Sequence, residues 1–341
     1  MRKFILAIAL LFGIIFLFSR FTEIQNVVET LQRGVIWFIL AGILIEAIWY
    51  INVAASYRFI YQSLGMEEKI NRLVLLSLGA YFVNVVAPSV GMSGIAVFVG
   101  DATNRNHSSA KVTVAGALFV LFDYVGFLFV LLLGLAVLAR RNKLEWPEIS
   151  ASVIIVLIAL FLTGLLYLGA KSAALLGKVL AWLAKKINRF MNPFIHRNYL
   201  SEERAFSFAE DAAEGIHALR SKPQNWVRPL LLALSNKALL VTILMMVFLA
   251  FKVPFSAGTI IAGFSIGYLF LIVSPTPSGI GIVEGALTLT LTSLRVRLED
   301  AAVIVLAYRG ITFWIPLFFG LAAFRILPRN RLAEKKDQEK I

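Results

Sequence analysis

The sequence predicts an all-α, polytopic integral membrane bundle, and three observations carry that reading. Of the 341 residues, 59% are apolar, against ~45–50% in soluble globular chains, and the mean hydropathy is +0.82. The apolar residues fall in runs of about twenty, the length that crosses ~30 Å of hydrocarbon as a helix. The charged residues, 16% of the chain, lie mostly between those runs.

Taken in order, residues 4–18 follow Met1-Arg2-Lys3 and read as an uncleaved signal anchor, because Phe18-Ser19-Arg20-Phe21 offers no small-residue cleavage site. A second span covers 35–54 and carries Glu46. Residues 73–100 are apolar enough to enter the membrane but hold Asn84, Pro88, Gly91, Ser93 and Gly94 near the middle. Proline and clustered glycine break a helix there, and the freed backbone groups must be buried in protein or line a wet cavity. Spans follow at 115–138, with Asp123 inside, and at 151–170.

Hydrophobicity then falls. Between 171 and 228 there are about ten Lys/Arg against about five Asp/Glu, which marks a cytoplasmic segment under the positive-inside rule. Its first part has apolar residues at 175, 176, 179, 180, 183 and 187, with Lys178, Lys185, Lys186 and Arg189 on the other face. That spacing predicts an interfacial amphipathic helix. Ser201-Glu202-Glu203 then supplies an N-cap and an acidic first turn for a helix to about residue 219. A span at 227–251 carries Lys237. A second irregular segment, 257–294, is centred on SPTPSGIGIVEGAL, and the last span, 301–327, contains Tyr308-Arg309-Gly310 and Pro316. The domain reading is one transmembrane unit, 1–327, with cytoplasmic amphipathic helices over 171–226 and a basic tail, 328–341.

The net charge of +13 follows the spans and has no aromatic interleaving of the kind that grips single strands. Nucleic acid is therefore excluded as a partner, and anionic phospholipid is expected. The chain has no cysteine, and His107, His196 and His217 all fall in loops or surface helices. No metal centre, cofactor or thiol chemistry is expected. There is no HExxH, Gly-x-Ser-x-Gly or P-loop motif, and Ser93 and Ser278 have no evident activating base. An enzyme is not expected.

With both termini in the cytoplasm of a cell (inner or plasma) membrane, six full spans are even in number if both irregular segments are re-entrant hairpins. The first hairpin then enters from the cytoplasm and the second from outside. If a hairpin crosses as a broken helix, the count rises towards eight. The loop Arg140-Arg141-Asn142-Lys143 falls outside in this topology, against the charge rule. The two irregular segments also resemble each other: Pro88 falls on Pro275, Gly94 on Gly281 and Gly79 near Gly267. About 35 residues after each proline comes an intramembrane charge, Asp123 or Arg309, each beside a tyrosine and near a glycine. Inverted repeats with broken helices near the midplane are a common transporter design, and the breaks point to the substrate site.

At these motifs the chain resembles the lysylphosphatidylglycerol synthase transmembrane region, a flippase-like membrane domain. The resemblance rests on Asn84, Pro88, Gly91 and Gly94, then on Pro275, Pro277, Gly279, Gly281, Glu284 and Arg309, and covers 4–327. In better-known members a soluble acyltransferase-like domain follows. The chain reaches Ile341 without one, so the resemblance implies the lipid-translocating half only. The family arginine soon after the first break is missing from Ile95-Ala96-Val97-Phe98-Val99, and the next span carries Asp123. The resemblance therefore does not name lysylphosphatidylglycerol as the substrate.

The candidate substrate-binding set is Asn84, Pro88, Gly91, Gly94, Asp123, Pro275, Pro277, Gly279, Gly281, Glu284, Tyr308 and Arg309. Glu284 either holds a cationic headgroup or serves a helix N-terminus. Arg309 either grips a phosphodiester or pairs with Glu284 or Asp123. Glu46 and Lys237 snorkel or pair with each other. Asn84 caps carbonyls or touches the ligand, and Tyr81 and Tyr268 read as packing or cavity lining. The leading function is lipid translocation. The alternatives are a secondary transporter of a small soluble solute and a scaffold for a separate lipid-modifying or glycosyl-transferring enzyme. A homodimer or partner enzyme is left open.

Overall fold

The computed structural model describes residues 21–86, 92–102, 108–195, 202–220 and 224–338. Among them the chain is helical with no strand. The elements are α1 (Phe21–Arg33), α2 (Ile36–Ser63), α3 (Ile70–Val86), α4 (Met92–Ala102), α5 (Ser109–Arg140) and α6 (Trp146–Lys171). There follow α7 (Ala173–Ile195), α8 (Glu202–Arg220), α9 (Gln224–Ala250), α10 (Ala257–Val273), α11 (Ile282–Ser293), α12 (Leu298–Arg309) and α13 (Ile315–Gln338).

Five described stretches are long and apolar enough to cross a membrane: α2, α5, α6, most of α9, and α12 running into α13 as far as Leu327. They match five of the six expected spans. The sixth, 4–18, lies outside the described residues. The protein is thus a multi-pass membrane protein. The chain beyond 327, set apart above as a tail, continues α13 to Gln338.

The second irregular segment forms the expected helix–break–helix, and the described parts of the first are two helices, α3 and α4. α3 and α10 have 17 residues each, about 25 Å at 1.5 Å per residue, and fall short of a full span. Each turns into a shorter limb, α4 of 11 residues and α11 of 12, which packs back on it. Arg72 and Asp101 close the open end of the first hairpin with a buried two-pronged ion pair, Nε to Oδ2 at 2.9 Å and Nη2 to Oδ1 at 2.7 Å. The sequence reading missed this pair. The second hairpin is closed by Leu287 and Leu291 lying over Gly263 and Gly267.

The repeat extends beyond the short motif. The bounds of α3, 70 and 86, recur 187 residues later as 257 and 273 in α10, and the end of α2 at 63 recurs as the end of α9 at 250. The same interval separates Pro88 from Pro275. α2 and α9 lie antiparallel: the Val35 amide donates to the Ala250 carbonyl at 2.9 Å. Further along, Asn52 donates to the Leu232 carbonyl at 3.1 Å and to Asn236 at 2.8 Å. Two repeat units whose first helices oppose each other make the inverted arrangement. Each hairpin then packs on the long helix of the other half, α3 on α13 and α10 on α5.

Close approach at these two crossings depends on small residues, as is usual where hydrocarbon supplies no hydrophobic drive. A Cβ on Gly134 of α5 would lie 2.4 Å from Ser265 Oγ of α10, and one on Gly320 of α13 would lie 2.6 Å from the Leu78 carbonyl oxygen of α3. Gly320→Ala must therefore push backbone, at a cost of about 1–3 kcal/mol. Gly285, with nothing within 4 Å of its added Cβ, is the control. SDS titration of the two alanine variants should lower the unfolding midpoint for Gly320 and not for Gly285.

α6 is the least buried span and turns Val153, Ile154, Leu157, Leu160 and Phe161 outward, as a lipid-facing helix does. α7 and α8 pair as a hairpin at the end of α6. Leu176, Ala181 and Ala184 form the packed stripe of α7, and Lys185 and Lys186 are exposed as expected. Leu175, assigned above to the apolar face, is exposed instead, as is Trp182, whose ring lies under Lys186 Nζ at 4.6 Å.

Candidate functional site

Two prolines and three positive-φ residues stop α10 and turn the chain. Pro275 and Pro277 have no N–H to continue a helix. Ser278, Gly279 and Gly281 take φ of +49°, +72° and +82°, which favours glycine at two of the three positions. The remaining backbone groups are met locally. The Thr276 amide donates to Ser274 Oγ at 3.1 Å, and Thr276 Oγ1 donates to the Ile280 carbonyl at 3.0 Å.

Arg309, at the end of α12, ties this break together. Its Nε donates to Glu284 Oε1 at 2.7 Å and its Nη2 to the Ser278 carbonyl at 3.0 Å. Glu284 Oε2 accepts from the Gly281 amide at 2.7 Å. Glu284 therefore has both roles considered above, ion-pair partner and acceptor for a helix N-terminus. The guanidinium also lies over the Phe313 ring at 4.5 Å. Neither bond uses Nη1. The Glu284 side chain is 32% exposed against 6% for Arg309, so the pair is open on the carboxylate side.

Directly after Arg309 the helix widens into a π-helical turn over Gly310–Trp314. The sequence reading took this span as continuous. Pro316 accounts for the change, since it cannot donate and its ring would collide with the Thr312 carbonyl of an ordinary α-turn. Such turns often sit at functional positions.

The second break meets the end of α3. The 3₁₀ turn Pro277–Gly279 packs against α3, and Ile280 joins Val83, Val86 and Phe82 in one apolar cluster. On α3, Asn84 Oδ1 accepts from the Gly94 amide in the first turn of α4 at 2.6 Å. It thus caps an amide at the start of α4. A Cβ on Gly94 would lie 2.5 Å from Asn84 Nδ2, so this clamp requires glycine. Pro88 and Gly91 lie outside the described residues.

Asp123 is held elsewhere. Its Oδ1 accepts from Lys237 Nζ at 2.6 Å and its Oδ2 from the Tyr268 hydroxyl at 3.0 Å, and Lys237 Nζ lies 2.6 Å from the same hydroxyl. Two expectations are corrected here. Lys237, fully buried, pairs with Asp123 and not with Glu46, and Tyr268 is a hydrogen-bonding member of the cluster and more than packing. The reason is geometric: α5, α9 and α10 pack on one another and bring these three side chains together at one depth. Tyr308 is buried between the two clusters, within electrostatic reach of Tyr268 on one side and of Arg309 and Glu46 on the other.

At the end of the bundle away from α7 and α8, a cavity of about 580 Å³ is lined by Arg141, Lys143 and Arg295 together with Ser256 and Thr259 at the start of α10. Arg141 Nη2 donates to Ser256 Oγ at 3.1 Å. Two of these cations come from the loop that ran against the charge rule. Among the described residues no cluster of three acidic or histidine side chains forms a metal site.

The profile of the family described as Lysylphosphatidylglycerol synthase TM region matches residues 4–320. A UPF0104 membrane protein of Methanocaldococcus jannaschii is 23% identical to this chain over 299 residues, covering 86% of the chain and 85% of that protein.

Proposed function

The chain belongs to the lysylphosphatidylglycerol synthase transmembrane-region family, and from that premise we propose that it carries the headgroup of an anionic phospholipid, or of another lipid-linked anion, between the leaflets of the cell membrane. The observation that carries this reading is the half-open ion pair at the second break, where that break packs on the other half's α3. Where α3 packs on the 3₁₀ turn, Arg309 is buried and Glu284 is partly exposed. A phosphodiester arriving there competes with Glu284 for the guanidinium fork and can take Nη1 as well, the planar geometry that suits Arg. The start of α11 adds backbone N–H groups aimed at the same place. No bond is made or broken. The headgroup passes along the seam between hairpins while the acyl chains stay in lipid beside it.

The basic cavity fits an anionic substrate as well. With the termini and the α7–α8 hairpin in the cytoplasm, Arg141, Lys143 and Arg295 face outside. Their position against the charge rule then has a purpose, as a landing site for the headgroup in the outer leaflet.

The test is reconstitution. Purified protein in liposomes holding a fluorescent phosphatidylglycerol should speed the exchange of label between leaflets, and Glu284→Gln, which weakens the hold on Arg309, should change that rate. Liposomes that move neither phosphatidylglycerol nor a polyprenyl phosphate faster than protein-free ones would defeat the proposal. Saturable uptake of a water-soluble anion by the same liposomes would replace it with a solute transporter.

A further inference from the structure

Glu46 lies in the middle of α2, 4% exposed, and its Oε2 has no hydrogen-bond partner among the described residues. Three other buried polar atoms share that lack: Trp49 Nε1, Tyr50 OH and Ser77 Oγ. Glu46, Trp49 and Tyr50 belong to one neighbourhood, three and four residues apart on one helix face. The Tyr50 ring meets Trp49 at 4.9 Å and Tyr81 of α3 at 6.4 Å, and Ser77 is one turn before Tyr81. Glu46 is within electrostatic reach of Tyr50, Tyr81 and Tyr308.

The two buried cations deep in the bundle, Arg309 and Lys237, are already engaged. Arg309 of α12 is engaged by Glu284 of α11 and the Ser278 carbonyl. Lys237 of α9 is engaged by Asp123 of α5 and by Tyr268 of α10. A bare carboxylate in a low-dielectric interior is too costly to persist, so the group needs a bound cation. The groups within its reach are tyrosine hydroxyls, beside its own carboxylate. Those are hard oxygens carrying a single formal charge, a set that suits H⁺ or Na⁺ better than a soft transition metal or a divalent ion needing several carboxylates.

We propose that Glu46, with the hydroxyls of Tyr50 and Tyr81 within its electrostatic reach, binds the monovalent cation, H⁺ or Na⁺, whose movement drives the lipid. This rests on the translocation reading above and supplies its energy source. The link to the headgroup site is short. The Tyr81 hydroxyl lies 3.4 Å from the Thr312 carbonyl oxygen in the π-helical turn, and Gly42, one turn before Glu46, is packed on Ile311 of that turn. An emptied Glu46 is a second carboxylate competing with Glu284 for Arg309. Cation release then loosens the ion pair that the phosphodiester must enter.

Dicyclohexylcarbodiimide, which reacts with protonated carboxyls in apolar sites, tests this on the purified wild-type chain. The expected result is a label on Glu46, located by peptide mass spectrometry, that is lost in Glu46→Gln and kept in Glu284→Gln. If the ion is H⁺, labelling falls as pH rises and does not change when sodium chloride replaces potassium chloride. If it is Na⁺, the same replacement at fixed pH protects Glu46. Absence of label on Glu46 under every condition, or a label indifferent to pH and to sodium, overturns the proposal. The readout does not depend on lipid movement. A correct labelling pattern with no translocation leaves the cation site standing and removes the function above, and translocation with no label does the reverse.

Discussion

Arg309→Ala is expected to abolish specific lipid retention and to lower stability together. Two charge-assisted bonds disappear, one to Glu284 and one to the Ser278 carbonyl, at about 1.5–3 kcal/mol each for bonds to charged groups. The loss stays at the lower end for Glu284, because its carboxylate is partly exposed and finds solvent or headgroup. The Ser278 carbonyl has less freedom, since it sits on a positive-φ turn that Arg309 holds. Native mass spectrometry of the protein extracted with its lipids makes the two effects separable. Wild type should keep an anionic phospholipid. Arg309→Ala should lose it, and Arg309→Lys should keep less than wild type because an ammonium cannot span carboxylate and carbonyl as the fork does. Glu284→Gln should retain the Gly281 cap through its amide oxygen and remain folded while altering which lipid is held. Equal, indiscriminate lipid in all four proteins would remove the ion pair from the headgroup site.

The fold was legible because hydrocarbon imposes a length. Five runs of about twenty apolar residues became helices long enough to cross, and the Pro275–Gly281 cluster broke the second irregular segment where a helix cannot continue. The partners of the buried charges were less legible. Four ionisable groups lie deep in the apolar runs as two acids and two bases, Asp123, Glu284, Lys237 and Arg309, and a fifth, Glu46, lies alone. Sequence spacing alone cannot say which acid meets which base, because the answer depends on which helices cross at that depth. On sequence grounds Glu46 and Lys237 either snorkel or pair with each other. The antiparallel packing of α2 on α9 puts Asn52 at Asn236, the neighbour of Lys237, and leaves Glu46 further along. Arg72 and Asp101 were missed for a simpler reason. They stand at the edges of the first irregular segment and read as ordinary flanking charges, yet the hairpin folds those edges together.

The largest loss of stability is expected from Asp123→Ala. It leaves the Lys237 ammonium, 0% exposed, with only the Tyr268 hydroxyl as a neighbour. An uncompensated buried charge of this kind costs about 3–5 kcal/mol. Lys237→Met should cost less, because Asp123 keeps the Tyr268 hydroxyl and some exposure. The double variant Asp123→Leu/Lys237→Met removes both charges and should recover most of the loss, since buried ion pairs exchange for packed apolar residues at little net cost. SDS titration of wild type, Asp123→Leu, Lys237→Met and the double variant gives the coupling directly, with Asp123→Ala measured beside them. A double variant as unstable as Asp123→Ala would mean that the pair fixes the packing of α5, α9 and α10 and does more than neutralise itself. A double variant as stable as wild type but unable to move lipid would mean that evolution keeps the pair for translocation, which would extend the headgroup path from Arg309 past Tyr308 to Tyr268.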